Sequence, residues 1–368
     1  MTRRKRILAA IAALLALALA SLAIAISHDS PCGSPAALPD GTPRMKAIVA
    51  RCYGSADILR FEDLARPTPA DDELLVKVHA SAVNPLDWHY MRGTPYIMRL
   101  GGGFGVPNDT RVGVDFAGTV VAVGKQVTRF KPGDEVFGGR SGALAQYLTV
   151  RESRSVVLKP ANISFEQAAA VPIAAVTALQ ALRDRGQLKA GQKVLVNGAS
   201  GGVGTFAVQI ARSLGAEVTG VCSTRNVELV RSLGADRVID YTREDFTAGE
   251  QRYDLILDNV GNHSLAEYRR ILRPEGRLVM IGASMDDPWI APLVEPLKAL
   301  LSAPFVSQDM GMFIAELNPA DLQVLSDMLQ SGKVTPVIDK RYAFSDAPAA
   351  IAYLEQGRAR GKVVVNVE

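Results

Sequence analysis

The sequence predicts an α/β protein in which a small β-rich unit is combined with a doubly wound parallel sheet, with one apolar helix ahead of both. Three observations predict this fold. Short β-branched runs separated by Pro and Gly fill the chain from Met45 to about Val150, and apolar strands alternate with helical stretches from about Ala168 onward. A glycine-rich loop, Gly198 to Gly204, lies between a strand and a helix. Such alternation is the pattern of a parallel sheet covered on both faces.

Composition narrows the class of protein. The 368 residues exceed one ordinary domain, and with 48% hydrophobic and 21% charged residues the chain is globular, not disordered. A net charge of +3 predicts no broad basic surface, so we expect no nucleic-acid partner. The three cysteines and four histidines are scattered without zinc-ligand spacing, which excludes a disulfide framework and predicts no metal site. We therefore expect an organic cofactor.

The first 27 residues differ from the rest of the chain. The basic cluster Arg3 to Arg6 precedes an apolar run from Ile7 to Ile26 that only Ser21 interrupts. Twenty helical residues span roughly 30 Å, the thickness of a bilayer core. The positive-inside rule keeps the basic cluster in the cytoplasm. The sequence predicts a membrane anchor or a signal peptide.

The sequence leaves open whether this segment is retained. Ala23-Ile24-Ala25 has the form of a signal-peptidase site, whereas the length of the apolar run suits an uncleaved anchor. Thr2-Arg3-Arg4 resembles a twin-arginine signal only weakly, because Lys5-Arg6 and a strongly apolar run follow. Residues 28–44 contain four prolines and are predicted to form a linker. The protein is expected to be membrane-associated through the anchor, or exported if the segment is cleaved.

The glycine-rich loop predicts a dinucleotide site. The buried strand Lys193 to Asn197 leads directly into the loop, and an amphipathic helix follows it. A pyrophosphate must approach backbone N–H groups at a helix N-terminus, where a Cβ atom would block it. The loop departs from the G-x-G-x-x-G register, since Asn197 or Ala199 stands at the usual place of the second glycine. The candidate cofactor-binding residues here are Gly198, Ser200, Gly201, Gly202, Val203 and Gly204.

The next strand, Glu217 to Val221, predicts which nucleotide is bound. An acidic residue at its end would hold a ribose 2′-hydroxyl and favour NAD. The chain instead has Ser223, Thr224 and Arg225, and two hydroxyls with a guanidinium suit a 2′-phosphate. We expect NADPH (NADP) as the cofactor. The alternative for Arg225 is a solvated residue at the start of a helix.

Several motifs together resemble one family. They are Val83-Asn84-Pro85-Leu86-Asp87-Trp88, Gly113-Val-Asp115-Phe-Ala-Gly118, Lys131-Pro-Gly-Asp-Glu-Val-Phe-Gly, the glycine-rich loop and Gly361-Lys362. The chain from about residue 45 resembles the zinc-free quinone oxidoreductase (zeta-crystallin-like) branch of the medium-chain dehydrogenase/reductase superfamily. The Asn-Pro-x-Asp-Trp form is similar to that of the reticulon-interacting mitochondrial homologue and of plant chloroplast-envelope relatives.

The resemblance implies a fold and a set of boundaries. A GroES-like catalytic domain (45–167) would be followed by a Rossmann NADP-binding domain (168–314), and residues 315–368 would return to the catalytic domain. The active site would lie in the cleft between the domains. A homodimer is left open: residues 284–312, rich in Met, Pro and Leu, could line a substrate pocket or form a dimer contact, with ordinary core packing as the favoured alternative.

The resemblance also implies the chemistry. Zinc-dependent members carry a cysteine near Asn84, a Gly-His-Glu motif where this chain has Gly113-Val114-Asp115, and a four-cysteine lobe, all missing here. Without a Lewis acid, hydride transfer from NADPH to a quinone or α,β-unsaturated carbonyl is favoured, because the charge spreads into a phenolate or enolate. The alternatives are a broader NAD(P)-dependent alcohol dehydrogenase or carbonyl reductase, and a membrane-tethered NADPH-binding protein without turnover.

The resemblance also suggests individual site residues. The resemblance places Asn84 beside the nicotinamide ribose and the substrate, and brings Thr177, Tyr241 and Lys362 near the cofactor. Tyr90 is our candidate hydrogen-bond donor to the substrate oxygen. One conflict stays open: an N-terminus held inside would place the catalytic domain outside the cytoplasm, where NADPH is scarce.

Overall fold

The computed structural model describes residues 2–282, 287–289 and 291–368. Its α-helices are α1 (Arg3–Ser27), α2 (Pro85–Arg92), α3 (Arg99–Gly102), α4 (Phe165–Ala169), α5 (Pro172–Gln180), α6 (Gly202–Ser213), α7 (Val227–Ser232), α8 (Leu265–Ile271), α9 (Ala291–Ser302), α10 (Pro319–Gln330) and α11 (Ala347–Glu355). Its strands are β1 (Arg44–Val49), β2 (Arg60–Ala65), β3 (Glu73–Val83), β4 (Asp115–Val123), β5 (Glu135–Gly139), β6 (Tyr147–Arg151), β7 (Val156–Leu158), β8 (Lys193–Asn197), β9 (Glu217–Cys222), β10 (Arg237–Asp240), β11 (Tyr253–Asp258), β12 (Leu272–Met280), β13 (Asp309–Met312), β14 (Ile338–Ala343) and β15 (Lys362–Asn366).

The parallel sheet has the order β10-β9-β8-β11-β12-β13. The middle of its central strand β8 is apolar, and Val194, Leu195 and Val196 are fully buried because helices cover both faces. The strand order reverses between β8 and β11. A ligand crevice is expected outside the carboxyl ends of these two strands. This sheet confirms the predicted Rossmann arrangement.

The β-rich unit contains a sheet of order β14-β15-β3-β4-β5-β7, with β6 also paired to β3, and a separate β1-β2 pair. The last strand, β15, runs antiparallel to β3 and brings Val363 opposite Val83. The C-terminal segment therefore completes a sheet that begins almost 300 residues earlier. This arrangement confirms the predicted GroES-like domain.

One apolar core links the two sheets. It joins Ala117 and Phe137 of the β-rich sheet to Val194 of the parallel sheet, and Leu322 and Leu325 of α10 complete it. All five side chains are fully buried. Because interiors are close-packed, such a shared core fixes the cleft between the two sheets.

The N-terminal helix α1 is long and apolar enough to cross a membrane, with a mean hydropathy of 2.8 in its most apolar window. A cleaved signal sequence meets the same criterion. Most of the helix is exposed, but Ile26 at its end is buried against the β-rich unit.

The predicted linker after α1 is held to the fold. Cys32 and Cys52 form a disulfide that closes a loop of 20 residues. The number and scatter of the cysteines excluded a disulfide framework, and a single cross-link was not predicted because only the tertiary structure brings these two residues together. Cys222 stays free and buried, and burial raises the pKa of its thiol to about 11.

Candidate active site

The glycine-rich loop leaves an open surface at the N-terminus of α6. Gly198 has a φ of +76°, in the left-handed region that favours glycine. A Cβ atom on Gly204 would lie 2.1 Å from the Gly198 carbonyl oxygen, so only glycine allows the helix to pack on the loop. A Cβ atom on Gly201 would meet nothing nearer than 3.4 Å. Gly201 therefore preserves open space at a helix N-terminus, where anions bind.

Two asparagines flank this loop with unused acceptors. Asn226 donates through Nδ2 to Ser200 Oγ at 3.0 Å and to Ser223 Oγ at 3.2 Å, and Asn259 donates to the Asn197 carbonyl at 2.8 Å. Within the described part of the chain, the buried Oδ1 atoms of both asparagines have no hydrogen-bond partner. Ribose hydroxyls and a carboxamide are donors that would satisfy them. The residues present thus fit a dinucleotide.

Sequence reasoning missed Asn226 and Asn259. An asparagine that follows a strand carries no motif of its own. The available signal was their place just after β9 and β11, because the carboxyl ends of these strands meet at one edge of the sheet.

Some of the side chains predicted to bind a 2′-phosphate already have hydrogen-bond partners within the protein. Thr224 Oγ1 donates to Asp240 Oδ2 at 2.6 Å, so that hydroxyl is already engaged. Arg225 is exposed and donates to the Arg358 carbonyl at 2.6 Å. Tyr241 is 58% exposed, and its backbone N–H donates to the Cys222 carbonyl. A phosphate at this edge depends on Ser223 and Arg225 more than on Thr224.

A buried polar cluster lies on the other side of the loop. It consists of Asn84, Asp87, Asp115 and Lys362, each at most 3% exposed. Lys362 Nζ donates to Asn84 Oδ1 at 2.5 Å and lies 3.3 Å from Asp115 Oδ2. Asn84 Nδ2 donates to Asp115 Oδ2 at 2.9 Å, and the Asn84 backbone N–H donates to Asp87 Oδ2 at 2.7 Å. Both amide atoms of Asn84 therefore have protein partners.

Secondary structure places each member of the cluster. Asn84 and Asp87 form a capping box at the start of α2, with Pro85 at the first helical position. Asp115 begins β4, and its Oδ1 accepts from the Ile173 N–H at 3.0 Å, at the start of α5. Lys362 begins β15. The cluster thus joins three parts of the β-rich unit to a helix that packs on the parallel sheet.

Burial governs the charges in this cluster. Desolvation raises the pKa of Asp87 to about 7, opposed by the backbone hydrogen bond from Asn84. Desolvation also raises the pKa of Asp115, with Lys362 opposing it. Two carboxyl groups and one lysine are thus almost completely buried together.

The cluster and the glycine-rich loop are in direct contact. The Gly361 N–H donates to the Ser200 carbonyl at 2.9 Å, and a Cβ atom on Gly202 would lie 3.3 Å from Lys362 Cδ. The structure therefore brings together Lys362, the loop and Asn84. Thr177 lies on α5, 8% exposed, and its hydroxyl donates to the Ile173 carbonyl.

A cavity of about 350 Å³ adjoins the cluster through Asp87. Leu86, Tyr90 and Met91 of α2 line it, together with Gly113 and Val114 just before β4. Its volume is in the range of small-molecule sites. Tyr90 is 51% exposed and borders this cavity, whereas Asn84 lies behind Asp87.

A second, polar depression of about 510 Å³ lies elsewhere. Gln192 and Asp254, at the amino ends of β8 and β11, line it with Arg273. It is at the opposite end of the strands from the glycine-rich loop, so we assign it no part in the site. Within the described ranges, no three His, Cys, Asp or Glu side chains come together as a metal site.

The fold and site define a two-domain, nucleotide-dependent oxidoreductase, and comparisons with known proteins identify its family. Residues 70–161 match the alcohol dehydrogenase GroES-like domain, and residues 233–365 match the zinc-binding dehydrogenase family model. The chain is 35% identical over 336 residues to the NADPH-dependent alkenal/one oxidoreductase of Arabidopsis thaliana, covering 87% of this chain and 79% of that protein.

Two further proteins show the same relationship. The mitochondrial NAD(P)H oxidoreductase RTN4IP1 of Mus musculus is 34% identical over 361 residues, covering 88% of this chain and 89% of that protein. The quinone oxidoreductase structure from Coxiella burnetii superposes with a TM-score of 0.78 at 28% identity, covering 88% of this chain and all of that one. The chain belongs to the quinone oxidoreductase branch of the medium-chain dehydrogenase/reductase superfamily, which confirms the resemblance drawn from the motifs.

Proposed function

We propose that this protein transfers a hydride from NADPH to a quinone or an α,β-unsaturated carbonyl. The observation that carries the proposal is the contact between the glycine-rich loop and the buried cluster, through Gly361 and Lys362. This contact supports a dinucleotide site next to the cavity bordered by Tyr90. The names of the relatives, an alkenal/one oxidoreductase and a quinone oxidoreductase, support this class of acceptor.

The chain's own residues have separable roles in this proposal. The amides that begin α6 hold the diphosphate, and Ser223 with Arg225 holds the 2′-phosphate. Asn226 and Asn259 accept hydrogen bonds from the nucleosides. The bound NADPH supplies the hydride. Lys362 and Asp115 are positioning residues, because they fix Asn84 and the entrance to α5 without touching the cavity.

The acceptor also needs a hydrogen-bond donor at its oxygen. Tyr90 is the exposed phenol on the cavity wall, and we assign it that role. A single well-placed donor contributes about 10²–10³ in kcat in comparable sites. Asp87 borders the same cavity, and its principal role is to accept from the Asn84 N–H and fix the start of α2.

Anaerobic assays of the purified full chain test this function. NADPH oxidation is followed with p-benzoquinone and with a simple enone, and NADP⁺ reduction is followed with a simple alcohol. We expect turnover of the quinone or the enone. Tyr90→Phe is expected to lower kcat for the enone while leaving the Kd for NADPH unchanged. Turnover of the alcohol alone would contradict the proposal, and NADPH binding without any hydride transfer would favour a binding protein.

We also propose that α1 anchors the chain with residues 28–368 outside the cytoplasm. The basic cluster Arg3 to Arg6 favours this orientation, and the Cys32–Cys52 disulfide suits an oxidising compartment. This placement requires reduced cofactor on that side. Trapping thiols with a membrane-permeant alkylating agent in intact cells tests it: the proposal expects only Cys222 to be modified after denaturation, and labelling of all three cysteines would contradict it.

The predicted homodimer remains a prediction. Its candidate contact, residues 284–312, lies partly outside the described residues. Sedimentation of the detergent-solubilised chain measures it directly.

A further inference from the structure

Arg99 connects the end of the apolar helix to the wall of the cavity. It lies in α3 and is 2% exposed, and its guanidinium donates to the carbonyl oxygens of Ile26 and His28 at 3.1 and 3.2 Å. The same group pairs with Asp29 Oδ1 at 2.8 Å. The last residues of α1 and the first residues after it are thus bound by one buried side chain.

The other contacts of Arg99 reach the cavity. Its guanidinium stacks on Tyr53 with 4.1 Å to the ring centroid, and Tyr53 donates to the Gly103 carbonyl at 2.9 Å. Tyr53, Gly101 and Gly102 all line the cavity. We name Arg99, its partners Ile26, His28 and Asp29, and Tyr53 the anchor clamp. No flexible spacer separates the apolar helix from the cavity wall.

Two further links hold the segment in place. The Ser30 N–H donates to the Gly105 carbonyl at 3.0 Å, which extends the contact along the loop after α3. The disulfide joins Cys32 to Cys52, the residue before Tyr53. The segment after α1 therefore cannot swing away from the cavity without breaking several contacts.

The chain beside the anchor clamp is apolar, and the exposed Asp29 of the clamp is paired with Arg99. From Tyr96 to Pro107 the only charged residue is Arg99, which is buried. Exposed apolar side chains project from this stretch, with exposures of 49% for Ile97, 54% for Leu100 and 53% for Phe104. A lipid bilayer accepts such a surface, and its position directly beside the end of α1, the proposed anchor, favours the bilayer as the occupant.

Aromatic residues mark the edge of this surface. Tyr96 and Trp289 pack edge to face with ring centroids 4.7 Å apart, and Trp289 is 37% exposed. Tyrosine and tryptophan concentrate at membrane–water interfaces, where one end of the ring is wet and the other apolar. The pair therefore suits the headgroup level.

We propose that the apolar stretch 96–107 rests in the outer layer of the membrane that α1 spans, so that the cavity opens toward the bilayer and its acceptor is a membrane-dissolved quinone or enone with a hydrocarbon tail. This inference rests on the proposed hydride transfer and on the anchor. It specifies the substrate class, because a tailed acceptor reaches Tyr90 by lateral diffusion while its tail stays in lipid.

The first experiment compares two acceptors on the full chain in phosphatidylcholine vesicles. Decylubiquinone partitions into the bilayer, and p-benzoquinone dissolves in water. Leu100→Glu with Phe104→Glu is expected to lower kcat/KM for decylubiquinone by at least about tenfold, because charged side chains lift the stretch from the lipid. The value for p-benzoquinone should stay within about twofold. Because α1 is unchanged, the variant is expected to remain bound to the vesicles.

Leu158→Glu is the matched control. Leu158 is 51% exposed on β7, and its carbonyl accepts from Ser326 of α10, so it lies on another face of the fold. We expect this variant to leave both acceptors unchanged. An equal loss with both quinones, or no loss with either, overturns the inference while hydride transfer to p-benzoquinone stands. No turnover of any quinone or enone by the wild type overturns the proposed function itself.

The second experiment locates the stretch 96–107 relative to the bilayer and does not depend on enzyme activity. The chain contains two tryptophans, so Trp88→Phe leaves Trp289 as the emitter. Lipids brominated near the headgroup are expected to quench this emission, and the Leu100→Glu/Phe104→Glu variant should reverse the quenching. Unquenched emission in the wild-type background overturns the inference. An intact mass showing that the mature chain begins after Ala25 also overturns it, because the anchor would then be absent.

Discussion

Lys362 Nζ lies 3.3 Å from Asp115 Oδ2, and both residues are almost completely buried. The pair joins the first residue of β15 to the first residue of β4. Since Asp115 also accepts from the Ile173 N–H, one carboxylate holds two strands and the start of α5 together. The pair therefore sets the geometry beside the glycine-rich loop.

Breaking this pair is predicted to destabilise the fold. Lys362→Met leaves the Asp115 carboxylate buried without its cation, which costs about 3–5 kcal/mol in comparable cases. Denaturant unfolding measures the loss. The exposed Lys298→Met is the control, since surface pairs contribute little. The double variant Lys362→Met/Asp115→Asn should lose less stability than the sum of the losses in the two single variants. Strict additivity of these losses would contradict the pairing.

Gly201 and Gly204 are predicted to fail in different ways when changed to alanine. At Gly204 the new Cβ atom would clash with the Gly198 carbonyl, so the variant should be less stable even without cofactor. At Gly201 it would enter open space, so unfolding should change by less than about 0.5 kcal/mol. NADPH binding by Gly201→Ala should nevertheless weaken at least about tenfold, because the Cβ atom occupies the diphosphate's approach. Calorimetric titration and denaturation distinguish these outcomes. Equal NADPH affinity in Gly201→Ala and wild type would remove the loop from the proposal.

Arg225→Ala is predicted to reduce the preference for NADPH over NADH. A charge-assisted hydrogen bond to a 2′-phosphate contributes about 1.5–3 kcal/mol, or about ten- to a hundredfold in affinity. The KM values for the two coenzymes measure the change. Arg231→Ala is the control, because Arg231 pairs with Glu228 on the surface of α7. An unchanged preference in Arg225→Ala would assign the 2′-phosphate to other residues.

Asp87 is predicted to make stability depend on pH. Folding raises the pKa of this carboxyl from 3.8 to about 7, so the native state binds its proton more tightly than the unfolded state. The stabilisation that the protonated Asp87 carboxyl contributes to the fold is therefore complete below pH 3.8 and is lost as the pH rises through about 7. As the pH rises from acidic to neutral, the free energy of unfolding of Asp87→Asn should therefore increase by up to about 4 kcal/mol relative to that of wild type.

Denaturant midpoints of Asp87→Asn and wild type across this pH range provide the measurement. Asp71→Asn is the control, because Asp71 is an exposed partner of Lys125. Parallel pH profiles for Asp87→Asn and wild type would show that the Asp87 carboxyl is ionised at no cost in the fold.

Sequence reasoning could identify the glycine-rich loop because its requirements are local. A strand, a turn and a helix follow one another within about a dozen residues, and a Cβ atom at Gly204 is impossible whatever the rest of the chain does. Lys362 was predicted near the cofactor by resemblance, but its partner Asp115 is 247 residues away. No local pattern specifies such a distant ionic partner.

By itself the sequence determined the two sheet types, the apolar helix and the phosphate-binding turn, because periodicity and glycine geometry act over neighbouring residues. Only the tertiary structure decided that Arg99 binds the end of α1, that Cys32 meets Cys52, and that Asn84 is buried behind Asp87. These contacts join residues distant in sequence. They depend on how the two sheets pack around one core, since the burial of each charged group requires a partner supplied from another part of the fold.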